Sequence, residues 1–556
     1  MKQAYKVRGG PKREKKKEKE KENRARGRIS PRVTAAAALC KLSRAFLRGT
    51  GRGGTALPGK LAMLVKKDIL ADAASGMEIL VVTGTNGKTT TAHMLEHALT
   101  CAGRNVLSNR SGANLLSGVT AEFVSAADLT GRPLKEMAVV ECDEGALHQV
   151  VPLLRPGVIV VTNLFRDQLD RYGEVMHTRE AILEGIRLAP DAVLCLNADD
   201  SLVSSIAREV PNPVLWFGTD LRAEKDDDVS EDPLAGLPER ESSEAETGAG
   251  ISDARYCIRC GKEYRYHYRT YAHLGDYYCL SCGFARMVPQ TAVTSIDELT
   301  AAGSRVHIRI LDQNVQLWIS VPAVYNLYNA AAAVCACMAA GYAGNAERAE
   351  QRGQAAHTGQ AGQTGHTKQT GHTEQTGQAE PAGYAEPLGH VERSGLQKIL
   401  DSLGSFSGGF GRMESFRLGD VGIRMILVKN PAGFDQAVDY ICGLQSPFTA
   451  VLGLNDLDAD GHDVSWIWDA DYERLCGDRN LRRIYVWGRR AADLQLRLKY
   501  AGADERRIRY IPGLETLLQK MRRSPDPVFV LPNYTTMLPL RDALRKETGK
   551  EGFWEG

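Results

Sequence analysis

Short β-branched runs recur at Glu78-Ile79-Leu80-Val81-Val82, Met137-Ala138-Val139-Val140, Val158-Ile159-Val160-Val161, Ala192-Val193-Leu194 and Val214-Leu215-Trp216-Phe217, with stretches of helix length between them. Strand alternating with helix in this way predicts α/β architecture, a parallel sheet with helices on both faces. A second set, Arg424 to Val428, Thr449 to Leu454, Arg483 to Trp487 and Val528 to Leu531, predicts a second, Rossmann-like α/β domain toward the C-terminus. In such sheets the chemistry lies beyond the carboxyl ends of the strands.

Three polar stretches interrupt the pattern. Residues 1–29 contain KREKKKEKEKENRARGR, for which weak attraction to anionic lipid is the functional reading and a solvated, disordered run, including a start codon placed too early, is the favoured one. Residues 221–250 are acidic and rich in Ser, Gly and Pro, as a surface loop is. Residues 345–390 hold the near-repeat QTGHTKQTGHTEQTGQAE; its His357, His366 and His372 read as part of a low-complexity linker, because no packed shell would hold the rings around a metal. The expected division is a basic tail over 1–30, a central domain over 31–344, a linker over 345–390 and a C-terminal domain over 391–556.

Composition narrows the function classes. With 556 residues and 43% hydrophobic content the chain can bury more than one core. A net charge of +2 implies no general affinity for polyanions, so nucleic acid is not an expected partner. Twelve cysteines without a secretory signal favour a reducing compartment, and no apolar run reaches membrane-spanning length. The expected location is cytoplasmic, with at most peripheral membrane contact.

Directly after the first apolar run, residues 83–91 read TGTNGKTTT. Gly84 and Gly87 permit a tight turn that brings backbone N–H groups to phosphate oxygens, and the run from Thr89 to Leu99 can open a helix whose positive end faces the anion. The candidate nucleotide contacts are Gly84, Thr85, Asn86, Gly87, Lys88, Thr89 and Thr90, with Lys88 reaching the terminal phosphates. The general P-loop pattern has a glycine where Val82 stands, so this is a shortened variant. Acids gather after the later strands: Glu141, Asp143 and Glu144, then Asn197-Ala198-Asp199-Asp200. Magnesium wants hard oxygen ligands, for which the Thr89 hydroxyl and Glu141 suffice.

Cys257-x-x-Cys260 and Cys279-x-x-Cys282, each followed by glycine, form two knuckles at zinc-ribbon spacing. Four thiolates fill a tetrahedral shell, so the zinc is expected to be structural. The tyrosines and arginines from Tyr264 to Tyr278 would also suit nucleic acid, but packing around a small ribbon explains them equally. Cys40, Cys101, Cys142, Cys195, Cys335, Cys337, Cys442 and Cys476 read as core thiols.

The GTNGKTT loop, Glu141, the TNLFRDQLDRYGE block, the NADD turn, the Tyr325-Asn326-Leu327-Tyr328-Asn329-Ala330-Ala331 segment and Gly411-Arg412-Met413-Glu414 occur in the order seen in Mur ligases, which the chain resembles from about residue 31 to its end. The resemblance implies ATP-dependent joining of an amine to a carboxylate through an acyl phosphate, with Asn329 and Arg412 added to the nucleotide site and Lys88 and Glu141 catalytic. Two departures stand out. Gln168 occupies the position where amino-acid-adding members carry a metal-associated histidine, and no lysine near Thr178 to Glu184 matches the carbamylated lysine of several members.

Lys429-Asn430-Pro431-Ala432-Gly433, the block from Asn455 to Asp469 and the four-cysteine insertion are similar to the synthetase-subunit branch of that family, the lipid II isoglutaminyl synthases. That similarity implies amidation of the D-glutamate α-carboxyl of the lipid II stem peptide at the inner face of the cell membrane. Ammonia would come from a GatD-type glutamine amidotransferase partner, and Asp463 would complete that partner's Cys-His pair. The competing reading of Asp463 is a capping acid ahead of Val464-Ser465-Trp466. The alternative function is a Mur or folylpolyglutamate-type ligase that adds an amino acid unaided.

Overall fold

The apolar runs at 79–82, 137–140 and 158–161 are buried along their whole length, as strands covered on both faces require. The computed structural model describes residues 30–49, 56–109, 113–166, 175–221, 254–356, 393–409 and 411–548. The tail, the acidic loop, Gln168 with its flanking aspartates, and His357, His366 and His372 lie outside the described residues.

In chain order the strands are β1 (Glu78–Thr83), β2 (Val106–Ser108), β3 (Met137–Glu141), β4 (Val158–Val161), β5 (Val193–Asn197), β6 (Val214–Thr219), β7 (Arg265–Tyr271), β8 (Leu274–Tyr278) and β9 (Thr291–Leu299). They continue with β10 (Ser304–Ile310), β11 (Gln313–Ile319), β12 (Arg412–Leu418), β13 (Val421–Ile426), β14 (Phe448–Gly453), β15 (Leu481–Trp487), β16 (Ile508–Tyr510) and β17 (Val528–Pro532). One sheet runs β11-β10-β9-β6-β5-β4-β1-β3-β2, parallel from β2 to β9 and antiparallel at its β10 and β11 end. The second runs β12-β13-β17-β14-β15-β16, parallel except for the β12 edge. Both sheets are α/β, as the strand pattern predicts.

The helix Val324–Ala356 packs across β4, β5, β6 and β9 and against the helix Lys88–Cys101. Its segment Val324–Gly341 is long and apolar enough to cross a membrane, contrary to the expectation from the sequence, but 83% of it is buried inside the protein, as a core helix is. The helix also continues to Ala356, into the stretch read as linker, because Ala, Glu and Gln over 345–356 favour helix. At the other end of that stretch, the helix Arg393–Ser405 packs on the helix Lys88–Cys101 and on β11, so it joins the first sheet's layer rather than the second domain.

The described residues within 30–76 form, with 117–135, a compact unit of their own, where the sequence placed 31–76 within the central domain. Three helices, Pro31–Gly49, Ala56–Val65 and Ile69–Ala73, pack there with most of the helix Leu116–Ala126. A Cβ on Gly59 would stand 1.8 Å from the Ser117 carbonyl oxygen, so only glycine allows that approach. The Lys41 ammonium donates to the carbonyls of Ser125 and Ala127 at the end of the last helix, and Arg44 donates to both carboxylate oxygens of Glu122.

Candidate active site

β1 ends at Thr83, and the chain then turns through Gly84 (φ +116°) and Gly87 (φ +83°) into the helix Lys88–Cys101. A Cβ on Gly84 would meet Thr162 Oγ1 at 2.4 Å and one on Gly87 would meet Asn329 Oδ1 at 2.2 Å, so neighbouring segments press on the loop from two sides. The loop is also held from within. The Thr85 N–H donates to the Asn163 carbonyl at 2.9 Å, the Asn86 N–H to Asn163 Oδ1 at 2.9 Å, and the Thr85 hydroxyl to the Phe165 carbonyl at 3.2 Å. Thr85 and Asn86 thus spend their amides shaping the turn. Gly87 to Thr90 form the N-terminus of the helix Lys88–Cys101, the end whose dipole suits an anion.

Lys88 is buried, and its ammonium donates to the Gly84 carbonyl at 2.6 Å and to Glu144 Oε1 at 2.7 Å. Burial pushes the Glu144 carboxyl up, against the pull of Lys88 and of Lys429 from the second domain. The Thr89 hydroxyl donates to Glu141 Oε2 at 2.7 Å, and Glu141 is fixed at the end of β3 by reciprocal backbone bonds with the Asn109 side chain. Thr89 and Glu141 are therefore a buried pair of hard oxygens at the loop mouth, which fits magnesium.

The second domain reaches this site. Asn430 Nδ2 donates to Asn86 Oδ1 at 3.1 Å while Asn430 Oδ1 caps its own helix at Gly433. Burial lowers the Arg412 guanidinium from its ordinary value, and Glu141 acts against that shift, so the two groups share one electrostatic environment. Asn329 accepts from the Thr91 hydroxyl and is oriented by Asn326. The structure brings together Lys88, Thr89, Glu141, Asn329 and Arg412, all named as site residues from the sequence, with Glu144, Asn163 and Asn430, which were assigned no site role from the sequence, and Asn109, which was not singled out there.

The strand-end acids Asp199 and Asp200 have structural partners. Asp199 accepts from Arg286 at 2.6 Å, from the Tyr328 hydroxyl at 2.7 Å and from the Thr219 amide and hydroxyl. Asp200 caps the helix Ser201–Ile206 and accepts from the Leu164 N–H.

In the inserted ribbon the four sulfur atoms of Cys257, Cys260, Cys279 and Cys282 lie within 4.8 Å of one another. Gly261 and Gly283, both at φ +70°, donate back to the carbonyls of Cys257 and Cys279, the tight turn a metal knuckle needs. Beneath them Tyr264, Tyr277 and Phe284 form a small core. The sulfur cluster fits a tetrahedral zinc shell, and the tyrosines are packing residues.

Residues 82–236 match the Mur ligase middle domain and residues 427–537 match the MurT ligase C-terminal domain. The chain is 32% identical to the lipid II isoglutaminyl synthase (glutamine-hydrolyzing) subunit MurT of Streptococcus pneumoniae, across 90% of this chain and 94% of that protein. The chain belongs to the MurT family. The MurT of Staphylococcus aureus (strain COL) is 30% identical across 93% of this chain and 98% of its own length. Among solved structures, MurF from Acinetobacter baumannii aligns with a TM-score of 0.54 at 16% identity, covering 89% of this chain and 81% of that one, and shares the fold. A pseudomurein peptide ligase type C from Methanothermus fervidus aligns with a TM-score of 0.52 at 17% identity, covering 85% and 80%. Membership of the MurT family makes the chain a ligase of the Mur ligase class.

In this MurT-family chain Asp463 lies in the segment after β14. Its Oδ1 accepts the Ser465 N–H at 2.8 Å just ahead of the short turn Ser465–Trp468, whose N-cap position is Val464. That turn is anchored by buried Arg497, which donates to the Ile467 and Ala470 carbonyls and to both oxygens of Glu473.

Proposed function

We propose that the chain is the synthetase subunit of a glutamine-dependent lipid II amidating enzyme, converting the α-carboxyl of D-glutamate in the stem peptide to the amide of D-isoglutamine. The observation that carries this reading is the buried set of Lys88, Thr89, Glu141 and Glu144 around a glycine turn, in a chain similar to MurT proteins over nine-tenths of its length.

A carboxylate is a poor electrophile, and transfer of the terminal phosphoryl group of ATP makes it an acyl phosphate that ammonia can attack, with phosphate leaving. The helix N-terminus from Gly87 to Thr90 binds the phosphates, and Lys88 leaves Glu144 to neutralise the charge that develops on them. Thr89 and Glu141 are the residues to hold magnesium, which supplies charge neutralisation on the phosphate oxygens. Arg412 and Asn430 bring the second domain to the same nucleotide. Zinc at the four cysteines supplies fold stability. Neutral ammonia is scarce at neutral pH, so a GatD-type glutaminase partner delivers it, with Asp463 at that contact orienting the partner's imidazole. The acceptor places the enzyme at the inner face of the membrane.

The test is Lys88→Ala in the complex with the glutaminase: ATP-dependent amidation of lipid II, read by mass spectrometry, is expected to disappear. Undiminished product would reject the phosphate-loop assignment.

A further inference from the structure

The helix Pro31–Gly49 buries Val33, Ala36, Ala37 and Cys40 along one side. At 100° per residue, positions 39, 42 and 46 fall on the opposite side, and there Leu39, Leu42 and Phe46 are 37%, 70% and 70% exposed. The next helix, Ala56–Val65, repeats the arrangement with Leu57 at 49% and Leu64 at 82% exposure and Lys60 between them. A helix face turned to water ordinarily carries charged residues, so two apolar stripes in one small helical unit call for a partner.

Charge points to what that partner is. From residue 23 to residue 67 there are eleven Lys and Arg and no Asp or Glu. The first 67 residues hold 21 basic and 4 acidic side chains, and the remaining residues hold 49 and 64, so the net +2 of the chain hides a strongly basic end joined to an acidic body. Exposed leucines and a phenylalanine interleaved with Arg32, Arg48, Lys60 and Lys67 match the chemistry of an anionic bilayer surface. The apolar groups enter the acyl boundary there, and long cationic stems keep their charges at the headgroups. Nucleic acid would use the charge and leave the leucines idle.

We propose that the helices Pro31–Gly49 and Ala56–Val65 are a membrane-docking module for anionic lipid surfaces. The proposal rests on the function above only for its purpose, which is to bring the enzyme to a lipid-linked acceptor. The test is co-sedimentation of the full chain with phosphatidylcholine vesicles made with and without phosphatidylglycerol. Binding is expected to need the anionic lipid and to weaken with salt. The variant Leu42→Ser/Phe46→Ser/Leu64→Ser, whose exposed positions leave the melting temperature unchanged, is expected to bind such vesicles at least ~10-fold more weakly. The proposal is overturned by wild-type protein that ignores anionic vesicles, or by a variant that binds them as well as wild type. It is equally overturned by a wild-type chain that prefers RNA or an acidic protein to them. Amidation of detergent-solubilised lipid II by the complex with the glutaminase separates the two readings: its absence in wild type sinks the proposed function and leaves the vesicle result standing.

Discussion

Replacing Glu144 with glutamine tests how Lys88 and the phosphate loop are held. The Lys88 and Glu144 side chains are 8% and 5% exposed and 2.7 Å apart, so the substitution strands a buried ammonium beside a neutral amide. Breaking a buried pair by removing one partner costs about 3–5 kcal/mol, and the low end applies because Lys88 keeps the Gly84 carbonyl. A loss of about 3 kcal/mol lowers the midpoint of the nucleotide-binding domain by roughly 6 °C or more in a thermal melt. Bound triphosphate replaces the missing anion, and no carboxylate then repels it. ATP is therefore expected to bind the variant ~10-fold more tightly than wild type and to recover about 1.4 kcal/mol of the loss. Differential scanning fluorimetry with and without ATP-magnesium, paired with a direct ATP titration, measures both quantities. Lys88→Met/Glu144→Leu, which removes both charges, is expected to melt closer to wild type than Glu144→Gln does. A Glu144→Gln protein that melts with wild type, and whose response to ATP is unchanged, would refute the reasoning.

Three further outcomes follow from other sites. Asp463→Asn is expected to abolish glutamine-driven amidation while sparing part of the activity with free ammonium; equal loss with both nitrogen sources would place Asp463 in the synthetase step. Cys257→Ser is expected to release zinc, measured by atomic emission on purified protein, and to expose the ribbon to limited proteolysis while the rest of the chain resists. Arg497 holds the Glu473 carboxyl below the usual carboxylate range, so the pair stabilises the fold above the unfolded-state pKa near 4.5 and stops doing so as pH falls through the lower folded-state value. Glu473→Gln is accordingly expected to cost about 0.5 kcal/mol at neutral pH, discounted for the exposed carboxylate, and nothing in acid, which urea melts across pH would show.

Both sheets were legible wherever a strand is buried on both faces, because β3, β4, β5 and β14 print continuous apolar runs. The strands β9 to β11 were not: β11 reads Gln-Asn-Val-Gln-Leu-Trp-Ile and buries only alternate positions, so its signal is weaker than that of a core strand. The site followed the same division. Lys88, Thr89 and Glu141 announce themselves by residue type and spacing, whereas Asn109, Asn163 and Asn430 act through bonds to segments 32, 77 and 344 residues away. No local pattern in a single sequence carries such a pairing. Asp199 shows the converse, an acid at a strand end that resembles a ligand in sequence and proves to be saturated by Arg286, Tyr328 and Thr219.

That saturation is also what ties the four-cysteine ribbon into the first sheet's domain. Arg286 follows the last cysteine knuckle and bonds to Asp199, while the hairpin of β7 and β8 buries His273 with its ring 4.6 Å from that of Phe165 and its Nε2 3.5 Å from Asp200. The Phe165 N–H in turn donates to the Thr85 hydroxyl in the phosphate loop at 3.1 Å. The Arg286 side chain is 2% exposed and those of His273 and Asp200 are fully buried, so packed contacts run from the knuckles to the glycine turn. A ribbon that keeps its shape holds Phe165, and Phe165 holds the loop. The hairpin of the insertion therefore packs on Phe165, and Phe165 is bonded directly to Thr85 of the glycine turn.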